Sequence, residues 1–238
     1  MDAQAAMKPT IAKAERFGFF WAREGEWVEE PNQRRGGESG VKRVRTDAGH
    51  LIYVKRQIGH TYRSWLHPFG RPTVLRERDA IEGLRQLNVR VPELVFCEAQ
   101  RDEKHGWRAL LVTAELENFT ELTSWYAAGG REHYGEVLHD QVLQALATNL
   151  ARMHLGRWQH GCLYMKHIFV RVIGNGANAK AQVALLDLEK SRRRFTASAA
   201  AHHDLKQMRR HSSFTSADWQ KLVYFYQSAF GSAIKGLG

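Results

Sequence analysis

From His160 to Lys190 the chain reads as a polar loop, HGCLYMKH, then an apolar run Ile168–Val172, a turn-rich Gly174-Asn175-Gly176-Ala177-Asn178, a second apolar run Val183–Leu186 and the tail Asp187-Leu188-Glu189-Lys190. Two short branched stretches around a Gly/Asn cluster predict a β-hairpin. The polar loop enters at the end of the hairpin where Asp187 leaves it, so a cluster of loop groups and one carboxylate converge on one point. A phosphoryl-transfer site holds metal and acceptor in this way. Ahead of the loop, Leu138, Val142, Leu146, Leu150 and Met153 recur at three to four residues, which predicts a long amphipathic helix over Tyr134–Met153.

The first half of the chain has strand character. Glu26–Glu30, a strand beginning at Val41, Leu51–Val54, Val91–Phe96 and Arg108–Thr113 are the predicted strands, with a polar turn over Gln100–Gly106. Ala3–Arg16 is a short helix or a frayed arm, and the aromatics of Phe17–Trp27 are expected to cover the sheet. Thr73–Leu87 has helical spacing, Gly129-Gly130 stops a short helix over Phe119–Ala128, and Thr215-Ser216-Ala217-Asp218 caps a last helix over Trp219–Phe230. Pro31–Val41 holds Gly36, Gly37 and Gly40 beside Arg34 and Arg35. Such glycines either let backbone N–H groups approach phosphates or simply make a hairpin turn.

Composition narrows the partners. With 238 residues, 43% of them hydrophobic, the chain can bury a sizeable core as one domain or two small lobes. The formal net charge is +10, and Arg34–Arg90 alone carries thirteen Lys and Arg against five Asp and Glu. That predicts attraction to polyanions: nucleic acid, an acidic membrane surface or a phosphorylated glycolipid. Cys97 and Cys162 suit free thiols in a reducing cytosol. No apolar run approaches the roughly 20 residues of a membrane span, so the expectation is a soluble, cytoplasmic protein, at most peripheral to a membrane.

HGCLYMKH followed by LLDLEK resembles the lipopolysaccharide kinase family, the Kdo and heptose kinases of Gram-negative inner-core synthesis, and most closely its InaA-like branch. His160, Tyr164 and His167 match the family loop, whereas Cys162 stands where its catalytic Asp does. The resemblance covers roughly Trp27 to Phe230. It implies a two-lobed, protein-kinase-like α+β fold, with an antiparallel N-lobe sheet plus one helix over residues 1–115 and a mainly helical C-lobe over 116–238.

The resemblance also implies roles. Asp187 and His167 would take Mg²⁺, and Lys55, at the end of the strand IYVK, would grip the nucleotide phosphates with Glu77 fixing its ammonium. Gly36, Gly37 and Gly40 would lie near those phosphates. Thr113–Asn118 looks like the hinge whose backbone meets the adenine, with Glu115 and Glu117 the positions expected to do so. Asp204, early in HHDLKQ, is a candidate brace for the catalytic loop. The interleaved Arg and aromatic residues of Arg56–Arg71 are like the family's insertion and suit an anionic glycolipid head group, or structural packing. Lys190–Arg194 adds a basic run beside Asp187.

The implied activity is ATP-dependent phosphorylation of a lipopolysaccharide inner-core sugar. His160 and Lys166 are the candidate substitutes for the missing Asp. Two alternatives stay open: a pseudokinase that binds nucleotide or anionic glycolipid in a regulatory or stress role, and a nucleic-acid-binding protein driven by the basic segment.

Overall fold

Helix α1 (Lys13–Ala22) places Phe17 and Phe20 on one side, and both are buried against Val44, Ile52, Val54, Val95, Phe96, Leu110 and Val112. Each such ring contributes roughly 1.5–3 kcal/mol of burial. The structure, a computed structural model, describes residues 13–34, 37–103, 106–234 and 236. The chain divides into two units, the first running to Asp79 and resuming at Pro92–Leu116, the second taking Ala80–Val91 and Glu117 onward.

In the first unit, β1 (Glu26–Arg34), β2 (Gly37–Arg45) and β3 (Leu51–Ile58) form an antiparallel meander. A small hairpin, β4 (Thr61–Ser64) and β5 (His67–Pro72), leads into helix α2 (Thr73–Gln86), whose second half from Ala80 belongs to the other unit. β6 (Leu94–Asp102) and β7 (Gly106–Ala114) complete a five-stranded sheet in the order β1-β2-β3-β7-β6. β3 alternates as a half-buried strand should: Ile52 and Val54 face the α1 side, and Lys55 points the other way. Gln57 on the same strand accepts the Thr73 hydroxyl at 2.9 Å and the Val74 N–H at 3.3 Å, so a strand residue caps α2.

The second unit opens with β8 (Thr120–Glu121), α3 (Leu122–Ala127) and α4 (Gly130–Leu155). β9 (Trp158–Gln159), the hairpin β10 (Ile168–Ile173) and β11 (Lys180–Leu185), and β12 (Arg192–Arg193) follow, then α5 (Ala197–His211) and α6 (Ser216–Phe230). Thr196 and Thr215 cap α5 and α6 by accepting the N–H groups of Ala199 and Asp218. Leu138, Val142, Leu146, Leu150 and Met153 of α4 are buried, and Asn149 ties the helix to β11 by donating to the Val183 carbonyl at 2.8 Å.

Several boundaries differ from those the sequence predicts. The residues of Pro31–Val41 expected to form a loop mostly extend β1 and β2, because register shifts between Trp27 and Asn32 absorb Pro31, which has no N–H to give the ladder. β6 starts at Leu94, after Pro92, and runs through most of the expected Gln100–Gly106 turn to Asp102. It is an edge strand, so its polar side chains reach water without breaking the pairing. Thr120 and Glu121 pair with β10 instead of starting a helix. α4 begins at Gly130 but is broken at Gly135, where φ is 78° and ψ 171°.

Candidate active site

In the first unit, Lys55 Nζ donates to Glu77 Oε2 at 2.8 Å, with side chains 14% and 11% exposed. β3 aims the lysine and the start of α2 aims the glutamate. Of the three glycines, Gly36 lies outside the described residues, while Gly37 and Gly40 lie in β2 rather than in a loop. Both sit against backbone. A Cβ on Gly37 would lie 2.5 Å from the His60 nitrogen, and one on Gly40 would lie 2.9 Å from the Pro31 nitrogen and the Trp27 ring. The Glu115 N–H is committed to the Leu51 carbonyl at 3.0 Å, so that donor is not free for a base edge. The Glu117 carbonyl, in the second unit, accepts from Arg171 at 3.4 Å.

In the second unit the β10–β11 register pairs Ile168 with Leu185, and the next bond, Leu186 N–H to the His167 carbonyl at 2.9 Å, carries the ladder past the strand ends. His167 and Asp187 therefore emerge side by side. Asp187 takes left-handed backbone (φ 56°, ψ 61°), costly for a residue with a Cβ, and its Oδ2 lies 3.3 Å from His167 Nε2. The other ring nitrogen of His167, Nδ1, donates to the Cys162 carbonyl at 2.7 Å. That bond orients the ring so that Nε2 faces the carboxylate, as a backbone carbonyl does behind a metal-bound imidazole.

The Cys162 thiol is buried, and its sulfur, His167 and Asp187 offer ligand atoms all within 4.8 Å of one another. Burial pushes the thiol's pKa up and Asp187 adds to the rise, against the opposing pull of Lys190 and Lys166. Lys190 Nζ stands 3.9 Å from the sulfur. Cys162 is thus a neutral thiol near neutral pH, and Lys166 nearby in the loop is exposed.

Asp204 anchors the loop from α5. Its Oδ2 accepts the His160 N–H at 2.6 Å and His154 Nε2 at 3.2 Å; its Oδ1 accepts the Gly161 N–H at 3.0 Å and His203 Nδ1 at 3.1 Å. Burial alone would raise this carboxyl, yet the hydrogen bonds from His154 and His203, with electrostatic help from His154 and His160, hold it well below the usual carboxylate range. Gly161 is required for two reasons: φ is +78°, and a Cβ would meet the Lys190 carbonyl oxygen at 2.8 Å.

The expectation that His160 could replace the missing base needs correction. Its ring is fully buried, its Nε2 donates to the Leu186 carbonyl at 2.9 Å, and burial lowers its pKa, so it is a neutral structural group out of reach of an acceptor. His154, His203 and Gln207 were not singled out for the site by the sequence, and Lys190 only as the start of a basic run beside Asp187. Gln207 accepts the Leu163 N–H at 2.8 Å and donates to the Tyr164 hydroxyl at 3.3 Å, a link whose only trace in the sequence is its place one turn after Asp204.

Mg²⁺ fits the half-exposed Asp187 carboxylate, because that ion is ordinarily held by one or two carboxylates plus substrate phosphates. The lone pair of His167 adds a nitrogen beside it. Cys162 contributes nothing a hard cation prefers.

Comparison with known proteins places this arrangement. Residues 19–226 match the model of the lipopolysaccharide kinase (Kdo/WaaP) family. Protein InaA of Escherichia coli (strain K12) is 42% identical over 216 residues, covering 90% of this chain and 97% of InaA. The solved structure of WaaP in complex with acyl carrier protein superposes with a TM-score of 0.68 at 19% identity, over 90% of this chain and 82% of that one. That likeness establishes the fold as protein-kinase-like α+β, an antiparallel sheet with helices. The chain belongs to the lipopolysaccharide kinase (Kdo/WaaP) family.

Proposed function

We propose that the chain transfers the γ-phosphoryl group of ATP to a sugar hydroxyl of the lipopolysaccharide inner core, working in the cytoplasm at the anionic face of the inner membrane. The observation that carries this reading is the 3.3 Å approach of His167 Nε2 to Asp187 Oδ2, with the His167 tautomer held by the Cys162 carbonyl. In it, residues 1–115 act as the N-lobe and 116–238 as the C-lobe. Lys55, oriented by Glu77, holds the nucleotide phosphates. The linker through Glu115 and Glu117 takes the adenine through backbone groups other than the Glu115 N–H, which Leu51 holds. Asp187 and His167 would hold Mg²⁺, which when bound neutralises the β- and γ-phosphate oxygens.

Cys162 limits the rate in this reading without abolishing transfer. A protonated, buried thiol takes no proton from the acceptor, but the transition state is loose and depends more on positioning and charge than on a base. Exposed Lys166 supplies a cation near the transferred group. The same thiol favours a second reading, a pseudokinase that binds nucleotide or anionic glycolipid and signals by occupancy.

Calorimetry of ATP with and without Mg²⁺, on the parent and on Asp187→Ala, followed by label transfer to purified inner-core glycolipid, separates the two. We expect Mg²⁺-dependent binding weakened at least about 10-fold in the variant, a loss of about 1.4 kcal/mol, and label on the lipid. Binding without label favours the pseudokinase. No binding overturns the kinase and the nucleotide-binding pseudokinase alike.

A further inference from the structure

β4 and β5 form a hairpin whose tip breaks the usual rules of turn chemistry. Ser64 pairs with His67, leaving Trp65 and Leu66 as a two-residue loop. Such loops ordinarily take Asn or Gly, which tolerate the backbone and suit water. Here the relative exposures of Trp65, Leu66 and Phe69 are 102%, 85% and 91%. Three large apolar side chains in five residues thus stand in solvent at one point, where nothing among the described residues covers them. Scattered apolar surface is normal, but a cluster of this kind marks a contact.

The finger's base is ordered. Tyr62 pairs with Arg71, whose guanidinium donates to the Tyr62 hydroxyl at 3.2 Å and to Asp79 at 2.8 Å, while Arg76 lies 4.3 Å over the Tyr62 ring. Gly70, at φ +90°, lets the second strand turn back against Thr61. The tip is therefore presented by a braced stem, and its exposure does not come from a loose one. From Gly59 to Pro72 the chain has no Asp or Glu, and Arg63 is exposed beside the tip.

We propose that this hairpin is an insertion finger for an anionic phospholipid bilayer. Trp65, Leu66 and Phe69 enter the interfacial layer, and Arg63 meets lipid phosphate. Its convex shape suits entry into a fluid layer better than docking on a flat protein face. Trp and Phe beside Arg are the residues that favour the boundary between head groups and acyl chains. The net charge of +10 supplies the long-range attraction. The proposal rests on the membrane-side placement given above and on residues of the first unit alone; it does not depend on phosphoryl transfer.

The test is co-flotation of the full chain with phosphatidylethanolamine/phosphatidylglycerol vesicles, for the parent, Trp65→Ser/Leu66→Ser/Phe69→Ser and Arg63→Glu. The triple variant should lose about 100-fold in partitioning, from the burial of three large side chains, and Arg63→Glu about 5-fold. The parent should also stay bound at about 0.5 M salt, where attraction by charge alone is screened. Quenching by brominated lipid should fall when Trp65 becomes Phe. ATP binding, measured on the same samples, should be equal in parent and variants. Unchanged partitioning of the triple variant, or release of the parent by salt, overturns the proposal. So does a concentration-dependent dimer that the triple variant abolishes, since a second copy would then cover the tip. Loss of ATP binding in the parent would count against the kinase reading and leave the finger standing.

Discussion

The Nδ1–H of His167 rests on the carbonyl oxygen of Cys162 at 2.7 Å, so Cys162 orients this imidazole through its backbone, not its side chain. The two jobs are separable. A change of side chain at 162 alters what faces the acceptor and leaves the orientation of His167 in place.

Cys162→Asp should therefore raise phosphate transfer by about 100-fold, the usual scale for a positioned proton acceptor, with ATP affinity within about 3-fold of the parent. Lys190, 3.9 Å from the present sulfur, is available to offset the new charge. Single-turnover label transfer measures it. An unchanged rate would mean that position 162 plays no part in the chemistry.

Asp204→Ala should destabilise the chain by about 3–5 kcal/mol, because it strands two backbone N–H groups and two imidazoles around a fully buried site. Urea unfolding followed by circular dichroism gives the figure. A loss below about 1 kcal/mol would show that water replaces the carboxylate there.

Acid should unfold the protein in two stages. His160 has its folded pKa lowered from 6.5 by burial, so the stability it contributes is full above 6.5 and declines as pH falls below that value. The folded pKa of Asp204 is lowered from 3.8, so its contribution is intact above 3.8 and is lost only at more acid pH. Unfolding free energy against pH should bend first near the histidine value and again below the carboxylate value, and His160→Gln should reduce the first bend, to which buried His139 also contributes, while leaving the second.

Much of this was legible in the sequence because it is local. The apolar pairs of β10 and β11 flank a Gly/Asn turn, and period three to four marks α4, so the position of Asp187 at a strand end follows from neighbours within thirty residues. The four donors on Asp204 do not follow. They come from α4, the loop and α5 itself, and only the packed fold brings residues 154, 160 and 161 to residue 204. The burial that removes His160 from the chemistry is likewise a property of packing. For Arg56–Arg71 the sequence leaves a glycolipid contact and structural packing both open, and the exposure of Trp65, Leu66 and Phe69 removes packing for these three, since composition does not say which rings find a neighbour.

Gly161→Ala should cost about 1–3 kcal/mol and slow transfer, as φ +78° and the Lys190 carbonyl at 2.8 Å leave no room for a methyl group. Thermal unfolding and the transfer assay together measure it. A stable but inactive variant would locate the effect in the loop's shape.

Lys55→Ala and Glu77→Ala should each weaken ATP binding by about 10-fold, and the double variant by little more than either, because the glutamate acts through the lysine. Additive losses in the calorimetric cycle would give Glu77 a separate role.

The cap that Gln57 places on α2 ties these two residues together more closely than their 2.8 Å contact alone does. Gln57 lies two positions beyond Lys55 on the same strand, and Val74, which it holds, lies three positions before Glu77 on the same helix. The reach from ammonium to carboxylate is thus gauged by one strand step and less than one helical turn, both rigid repeats. Such a ruler keeps its length whatever the hairpin between the two elements carries, so a change at the Trp65-Leu66 tip leaves the ion pair in register.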